Sequence, residues 1–199
     1  MNSYQQFLDF FSMRNKERLD GLDESYFTSM TKEERARAFD YLLKLVEKGG
    51  AEESVNGLFR ADCDRAIEPV KQLLNEGALT GEAQIAAAWN IYTIQHDDNL
   101  LAVFIRFFSD PDCRLREKAA YYVPADNLTA ELKAGLQGMI RTETEQLARI
   151  HAVDKLLECY VVTKESVGKN NYSEFYRGLH SDDPETKDAA FRRLDALFD

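Results

Sequence analysis

Proline and cysteine are scarce in this chain, and long apolar runs are absent. Four prolines and ten glycines are spread over 199 residues with no stretch rich in Ser, Gly or Pro. Nothing in the composition therefore marks an interdomain linker, and a single domain over 1–199 is expected. Cys63, Cys113 and Cys159 are odd in number, lie far apart and form no C-x-x-C. Metal-ribbon and dithiol patterns are excluded, and reduced, mostly buried thiols of a cytoplasmic protein are the expectation. No apolar run approaches the ~18 residues that a membrane-spanning helix needs. Near the start, Phe7, Leu8, Phe10 and Phe11 are interrupted by Asp9 and follow no basic segment, unlike a secretory leader. Alternating β-branched runs are missing as well, and only Tyr160-Val161-Val162-Thr163 reads as locally extended. The fold class expected is all-α.

Positive charge is in deficit. Against 35 acidic residues stand 25 basic ones, a net charge of −10. Binding to nucleic acid depends on Lys and Arg neutralising phosphates, so no nucleic-acid partner is expected. An acidic surface suits a basic partner instead. Catalytic signatures are also lacking: there is no G-x-S-x-G, H-E-x-x-H, phosphate-binding glycine loop or dinucleotide glycine cluster. His96-Asp97-Asp98 and His180-Ser181-Asp182-Asp183 join imidazole to carboxylate, but each falls between helices, where Asp and Ser act as caps. No cysteine has a base beside it in sequence that would activate a thiolate. The chain is expected not to be an enzyme and to need no cofactor and no metal.

What the chain does contain is a segment used twice. Phe104-Ile105-Arg106-Phe107-Phe108-Ser109-Asp110-Pro111-Asp112 returns as Phe175-Tyr176-Arg177-Gly178-Leu179-His180-Ser181-Asp182-Asp183-Pro184-Glu185, one residue longer before the Asp-Pro. Each copy runs from an apolar helix carrying an Arg into Asp-Pro-acid. A second helix with paired alanines follows, Ala119-Ala120 in one copy and Ala189-Ala190 in the other. Proline suits the first helical turn, where its missing N–H is not needed, and the preceding Asp can accept from free N–H groups. Alanines on an inward face let two helices approach closely as a hairpin.

Asp183-Pro184-Glu185-Thr186-Lys187-Asp188-Ala189-Ala190-Phe191-Arg192-Arg193-Leu194 resembles the second-helix motif of HEAT repeats. The earlier copy supplies its matching Leu115-Arg116-Glu117-Lys118-Ala119 two residues later than its Asp-Pro. Further units follow from periodicity: helices over 66–74 and 82–94, the latter with Thr80 as cap, then Leu128, Leu132, Leu136, Met139 and Ile140 on one face before a helix over 145–160. Second helices then begin near positions 81, 111, 144 and 184, at spacings at or below the ~40–47 residues of HEAT units. Residues 1–60 repeat least. There Thr31-Lys32-Glu33-Glu34 is a capping box, and the stripe Phe39, Leu42, Leu43, Val46 stops at Gly49-Gly50. The resemblance implies a right-handed α-solenoid of stacked antiparallel helix hairpins, with 1–60 as an irregular helical cap and about four hairpin repeats over 61–199.

The informative residues lie on faces that ought to be polar. At about 100° per residue, Glu82, Ala86, Asn90 and Thr93 share a narrow stripe with Trp89 at its border. On the next second helix Arg114, Glu117, Lys118 and Tyr121 share one side, so Tyr121 is expected to be exposed. On the following one, Thr144, Leu147, His151, Asp154, Lys155 and Glu158 form an outward stripe. The resemblance implies that such stripes line a concave surface, where Trp and Tyr would act as buried anchors and carboxylates would steer a basic protein. Glu82, Trp89, Asn90, Glu117, Tyr121, His151, Asp154 and Glu158 are the expected partner-binding residues. The function expected is protein binding, most specifically by a bacterial immunity-type inhibitor that neutralises a basic, nuclease-like toxin domain. An adaptor subunit of a larger complex is the alternative, and a HEAT-like DNA glycosylase is a more distant one.

Overall fold

The computed structural model describes residues 3–13 and 21–197, and all regular secondary structure among them is helical. The all-α expectation holds. The chain divides into two compact units, Met1–His96 and Asp97–Asp199.

The first unit contains α1 (Ser3–Ser12), α2 (Ser25–Thr28), α3 (Lys32–Val46), α4 (Glu52–Ala61), α5 (Cys63–Asn75) and α6 (Glu82–Gln95). The capping box forms as read: Thr31 Oγ1 accepts from the Glu34 N–H, and the Glu34 carboxylate accepts from the Thr31 N–H at 2.9 Å. Phe39, Leu42 and Val46 are buried, and the chain leaves α3 through Gly49 and Gly50 at φ values of 102° and 62°, which favour glycine. Hairpins α3–α4 and α5–α6 pack through α4 and α6. At α4, a Cβ on Gly57 would stand 2.6 Å from the Leu22 side chain, so glycine permits a close approach there. Phe7 and Phe10 are fully buried, Phe7 edge-on to Tyr41 at 5.7 Å. Arg35 donates to the Phe27 carbonyl and Arg60 to that of Leu22, which ties this aromatic layer to α3 and α4.

One local expectation changes at α6. Gly81, not Thr80, stands at the N-cap, at φ 53°. Glycine lets the chain turn one residue later, and Thr80 contributes its carbonyl, which accepts from the Ala83 N–H at 3.2 Å. His96 then closes the helix in the left-handed region.

The second unit contains a 3-10 turn (Asp98–Leu100), α7 (Leu101–Phe107), α8 (Cys113–Tyr122), α9 (Ala130–Thr142), α10 (Gln146–Cys159), α11 (Lys164–Val167), α12 (Lys169–Leu179) and α13 (Pro184–Asp195). Pro184 opens α13, and Asp183 caps it by accepting from the Thr186 N–H at 2.9 Å. Pro111 was expected at a helix start too, but it lies outside α8. Asp112 is the cap there, accepting from the Arg114 N–H at 3.0 Å, while Asp110 accepts from the Asp112 N–H at 2.8 Å. Two Asp residues two apart divide between a turn and a cap, which delays the helix.

Ala119 and Ala120 are fully buried, and a Cβ on Gly178 would come within 2.9 Å of the Ala190 Cβ. Small residues thus set the close approach of α12 and α13. Hairpins α7–α8 and α9–α10 stack in register, α7 on α9 and α8 on α10. A buried ion pair locks that register. Arg116 on α8 donates from Nε to Glu143 Oε2 at 2.6 Å and from Nη2 to Oε1 at 2.8 Å, and Glu143 also accepts from the N–H groups of Thr144 and Glu145.

The last hairpin exchanges its helices. Its second helix, α13, meets α9, where Lys187 donates to the Ile140 carbonyl at 3.0 Å, Arg141 pairs with Asp188 at 3.0 Å and Lys133 with Asp195 at 2.6 Å. Its first helix, α12, shares the lining of a groove with Asp154 of α10. The connection explains the exchange. Residues 160 and 161 form a helix-ending turn, and of the segment expected to be extended Thr163 is so, at the cap of α11: Val161 has φ 52° and its N–H donates to the Glu158 carbonyl, while that of Val162 donates to Leu157 at 2.9 Å. The short α11 follows and redirects the chain before α12.

Candidate functional site

The eight residues expected to bind a partner fall into two groups, one in each unit. In the first unit, Trp89 is half-buried and lines a cleft of about 340 Å³ with Asn56, Arg60, Cys63, Thr93 and Ile94. Glu82 stands half-buried in the first turn of α6, where a carboxylate complements the helix dipole. Asn90 was expected on an open stripe but is buried. Its amide donates to Asn56 Oδ1 at 2.7 Å and to the Ala86 carbonyl at 2.8 Å, and Ala86 is buried as well. α4 packs along this side of α6 and closes the middle of the stripe, leaving Asn90 to satisfy the interface. The thiols also differ from expectation, since Cys63 is exposed and Cys113 and Cys159 are half-buried. Burial and the carboxylates of Asp64 and Asp62 push the Cys63 thiol up, and burial pushes that of Cys159 up to about 12. Neither has the depressed pKa of an activated nucleophile.

In the second unit the expected residues converge. Tyr121 on α8 is 56% exposed, and its ring stands edge-on to His151 of α10 at 5.1 Å and to Tyr122 at 5.0 Å. Glu117, one turn earlier on α8, brings Oε1 to 3.9 Å from His151 Nε2. Leu147 is 50% exposed one turn before His151. Glu158 pairs with Lys155 at 2.8 Å at the far end of the same stripe. An aromatic and an aliphatic side chain thus stand open to solvent beside carboxylates. This cluster exists because Arg116–Glu143 and the buried alanines set α8 against α10.

Asp154 continues the stripe towards α12. Burial raises its carboxyl above the ordinary range, with Glu158 adding to that and the imidazoles of His151 and His180 opposing it. Here the surface deepens into a groove of about 800 Å³, lined by Asp154, Lys164, Tyr172, Ser173, Tyr176 and Arg177. The Tyr172 and Tyr176 rings lie 6.2 Å apart at 23°, and the Tyr176 ring meets that of His180 at 4.4 Å. The His180 Nε2 is buried without a hydrogen-bond partner, and burial with nearby Arg149 lowers the pKa of that imidazole.

Tyr172, Tyr176 and His180 were not among the expected residues. Their i, i+4, i+8 spacing is a readable signal of a shared helix side. Nothing local gives that signal weight, because it is packing that puts α12 on one groove with Asp154 of α10. The His-Asp turns have cap roles: Asp97 accepts from the Asn99 N–H at 3.1 Å, and Ser181 Oγ accepts from the Asp183 N–H at 3.1 Å.

No helix among the described residues is long and apolar enough to cross a membrane. No protein-family model, curated protein or solved structure shows significant similarity to the chain.

Proposed function

We propose that this chain is a HEAT-like repeat protein that acts by binding a basic protein, and that it is an immunity-type inhibitor occupying the cleft of a basic toxin domain such as a nuclease. The observation that carries the reading is the Tyr121 surface. An aromatic ring 56% exposed, with Leu147 50% exposed nearby and Glu117 close by, is costly in water and suited to an interface. Aromatic anchors hold a complex through desolvated contact, while carboxylates around them raise the association rate of a basic partner. The net charge of −10 favours such a partner. The register of hairpins α7–α8 and α9–α10 supports the HEAT-like reading, since it aligns second helices side by side. In this reading the protein works in the cytoplasm, without catalysis or cofactor.

The test is inhibition of a basic nuclease domain encoded beside this chain. Stoichiometric, salt-sensitive inhibition is expected, and Tyr121→Ala should weaken it by about 2 kcal/mol or more, roughly 30-fold, with helicity and melting temperature unchanged. Charge reversal at Glu117 or Glu158 should chiefly slow association. Inhibition that survives Tyr121→Ala undiminished would remove this surface from the interface.

A further inference from the structure

We infer that His180 is an acid-sensitive latch: a proton taken up by its imidazole loosens the last hairpin, α12–α13, from the rest of the second unit. His180 is the residue on which α12 ends. Its ring meets that of Tyr176 at 4.4 Å between centres, and its Nε2 is buried with no hydrogen-bond partner among the described residues. Charge acts on it from both sides, from Arg149 and Asp154 on α10 and from Lys187 on α13. The two cations are held in place. Arg149 Nη1 pairs with Asp182 at 3.0 Å, and its Nε, like the His180 Nε2, is buried without a partner. Lys187 is 6% exposed and donates to an uncharged acceptor, the Ile140 carbonyl, at 3.0 Å. The two carboxylates nearby face water, Asp154 exposed and Asp182 with its side chain 94% exposed, so solvent screens what they offer a buried charge.

An imidazolium in this place adds a third positive charge to Arg149 and Lys187, with an N–H that no group accepts. Burial is the main reason the pKa of His180 is lowered, Arg149 and Lys187 add to it, and Asp154 opposes. Once the hairpin moves away, the ring meets water and takes its proton freely. An unfolded imidazole does so near pH ~6.5. The folded ring binds its proton less readily, so the packing of the hairpin is at full strength above that pH, weakens as pH falls through it, and levels off below the folded value. Histidine is the side chain whose ordinary titration falls between about pH 5 and 8, so the device works in a physiological range. The hairpin moves as one piece. Gly178 lets α12 and α13 approach so closely that a Cβ there would meet the Ala190 Cβ at 2.9 Å, whereas the pairs Arg141–Asp188 and Lys133–Asp195 that tie α13 to α9 are partly exposed and individually weak.

The experiment is amide hydrogen exchange of the whole chain from about pH 8 down to 5.5, corrected for the intrinsic pH dependence of exchange, with an NMR titration of the imidazoles of His96, His151 and His180 over the same range. His180 should titrate below the ~6.5 of an unfolded chain. Opening of α12 and α13 should rise as pH falls, by at most about tenfold per pH unit for the uptake of one proton, while opening of α3 in the first unit stays level. His180→Gln should abolish the rise. His180→Phe, which keeps a ring against Tyr176, should abolish it as well and separates loss of the proton site from loss of packing. Opening of α12 and α13 that ignores pH in the unaltered chain overturns the inference. So does a rise that persists in His180→Phe, which His151 or a carboxylate would then have to supply, or a His180 titration at or above ~6.5.

Discussion

Arg116→Ala tests how the second unit holds α8 on α10. The Glu143 side chain is 1% exposed and that of Arg116 17%, and the two form a bidentate pair between the start of α8 and the α9–α10 turn. Breaking a buried pair strands the remaining charge, at a cost of about 3–5 kcal/mol. After Arg116→Ala, Glu143 still accepts from the N–H groups of Thr144 and Glu145, so the low end of that range, about 3 kcal/mol, is expected. Glu143→Ala should cost more, because it strands the guanidinium and also frees those two backbone donors. Urea denaturation followed by helical circular dichroism measures both. The double replacement Arg116→Met with Glu143→Leu should cost less than either single change, since no charge is left unpaired.

The pH dependence has a definite sign. Hydrogen bonding from Arg116 holds the Glu143 carboxyl below the ordinary range, helped by the N–H groups of Glu145 and Thr144 and opposed by burial. A depressed carboxyl contributes its full stabilisation above the unfolded value of ~4.3 and loses it as pH falls through the folded value. Stability should therefore drop in acid, and Glu143→Gln should flatten that drop. A loss below about 1 kcal/mol in Arg116→Ala would refute the reasoning, because that is the worth of a solvent-screened pair.

Three further outcomes are expected. Val161→Gly should stabilise the protein by about 1 kcal/mol in the same denaturation assay, because a β-branched residue at φ 52° pays a left-handed penalty that glycine avoids. Gly178→Val should destabilise it by about 1–3 kcal/mol and lower the melting temperature, since even a Cβ there meets the Ala190 Cβ at 2.9 Å. Duplex DNA should show no binding in a fluorescence-anisotropy titration at micromolar protein near physiological salt, given a net charge of −10; even non-specific binders have Kd values of ~10⁻⁴ to 10⁻⁶ M there.

Much of the local structure was legible from sequence. The Thr31 capping box, the stop at Gly49-Gly50, the Asp183-Pro184 helix start and the exposure of Tyr121 all depend on groups within one or two turns of one another. Periodicity states which residues share a side of a helix: it put Glu117 and Tyr121 together on α8 and His151 on the open stripe of α10, while their meeting across the two helices is a matter of packing. It cannot state whether another helix covers that side. The α6 stripe is closed because Asn90 meets Asn56, 34 positions away, and α12 reaches α10 because α13 is held to α9 by Lys187 and Ile140, 47 positions apart. The sequence by itself determined the helices, their caps and the all-α class, since capping, turn geometry and helical period are energies of near neighbours. Tertiary structure decided which faces stay open and that Asp154 looks onto two tyrosines. Those outcomes depend on contacts between distant segments, whose energies appear only once the chain has packed.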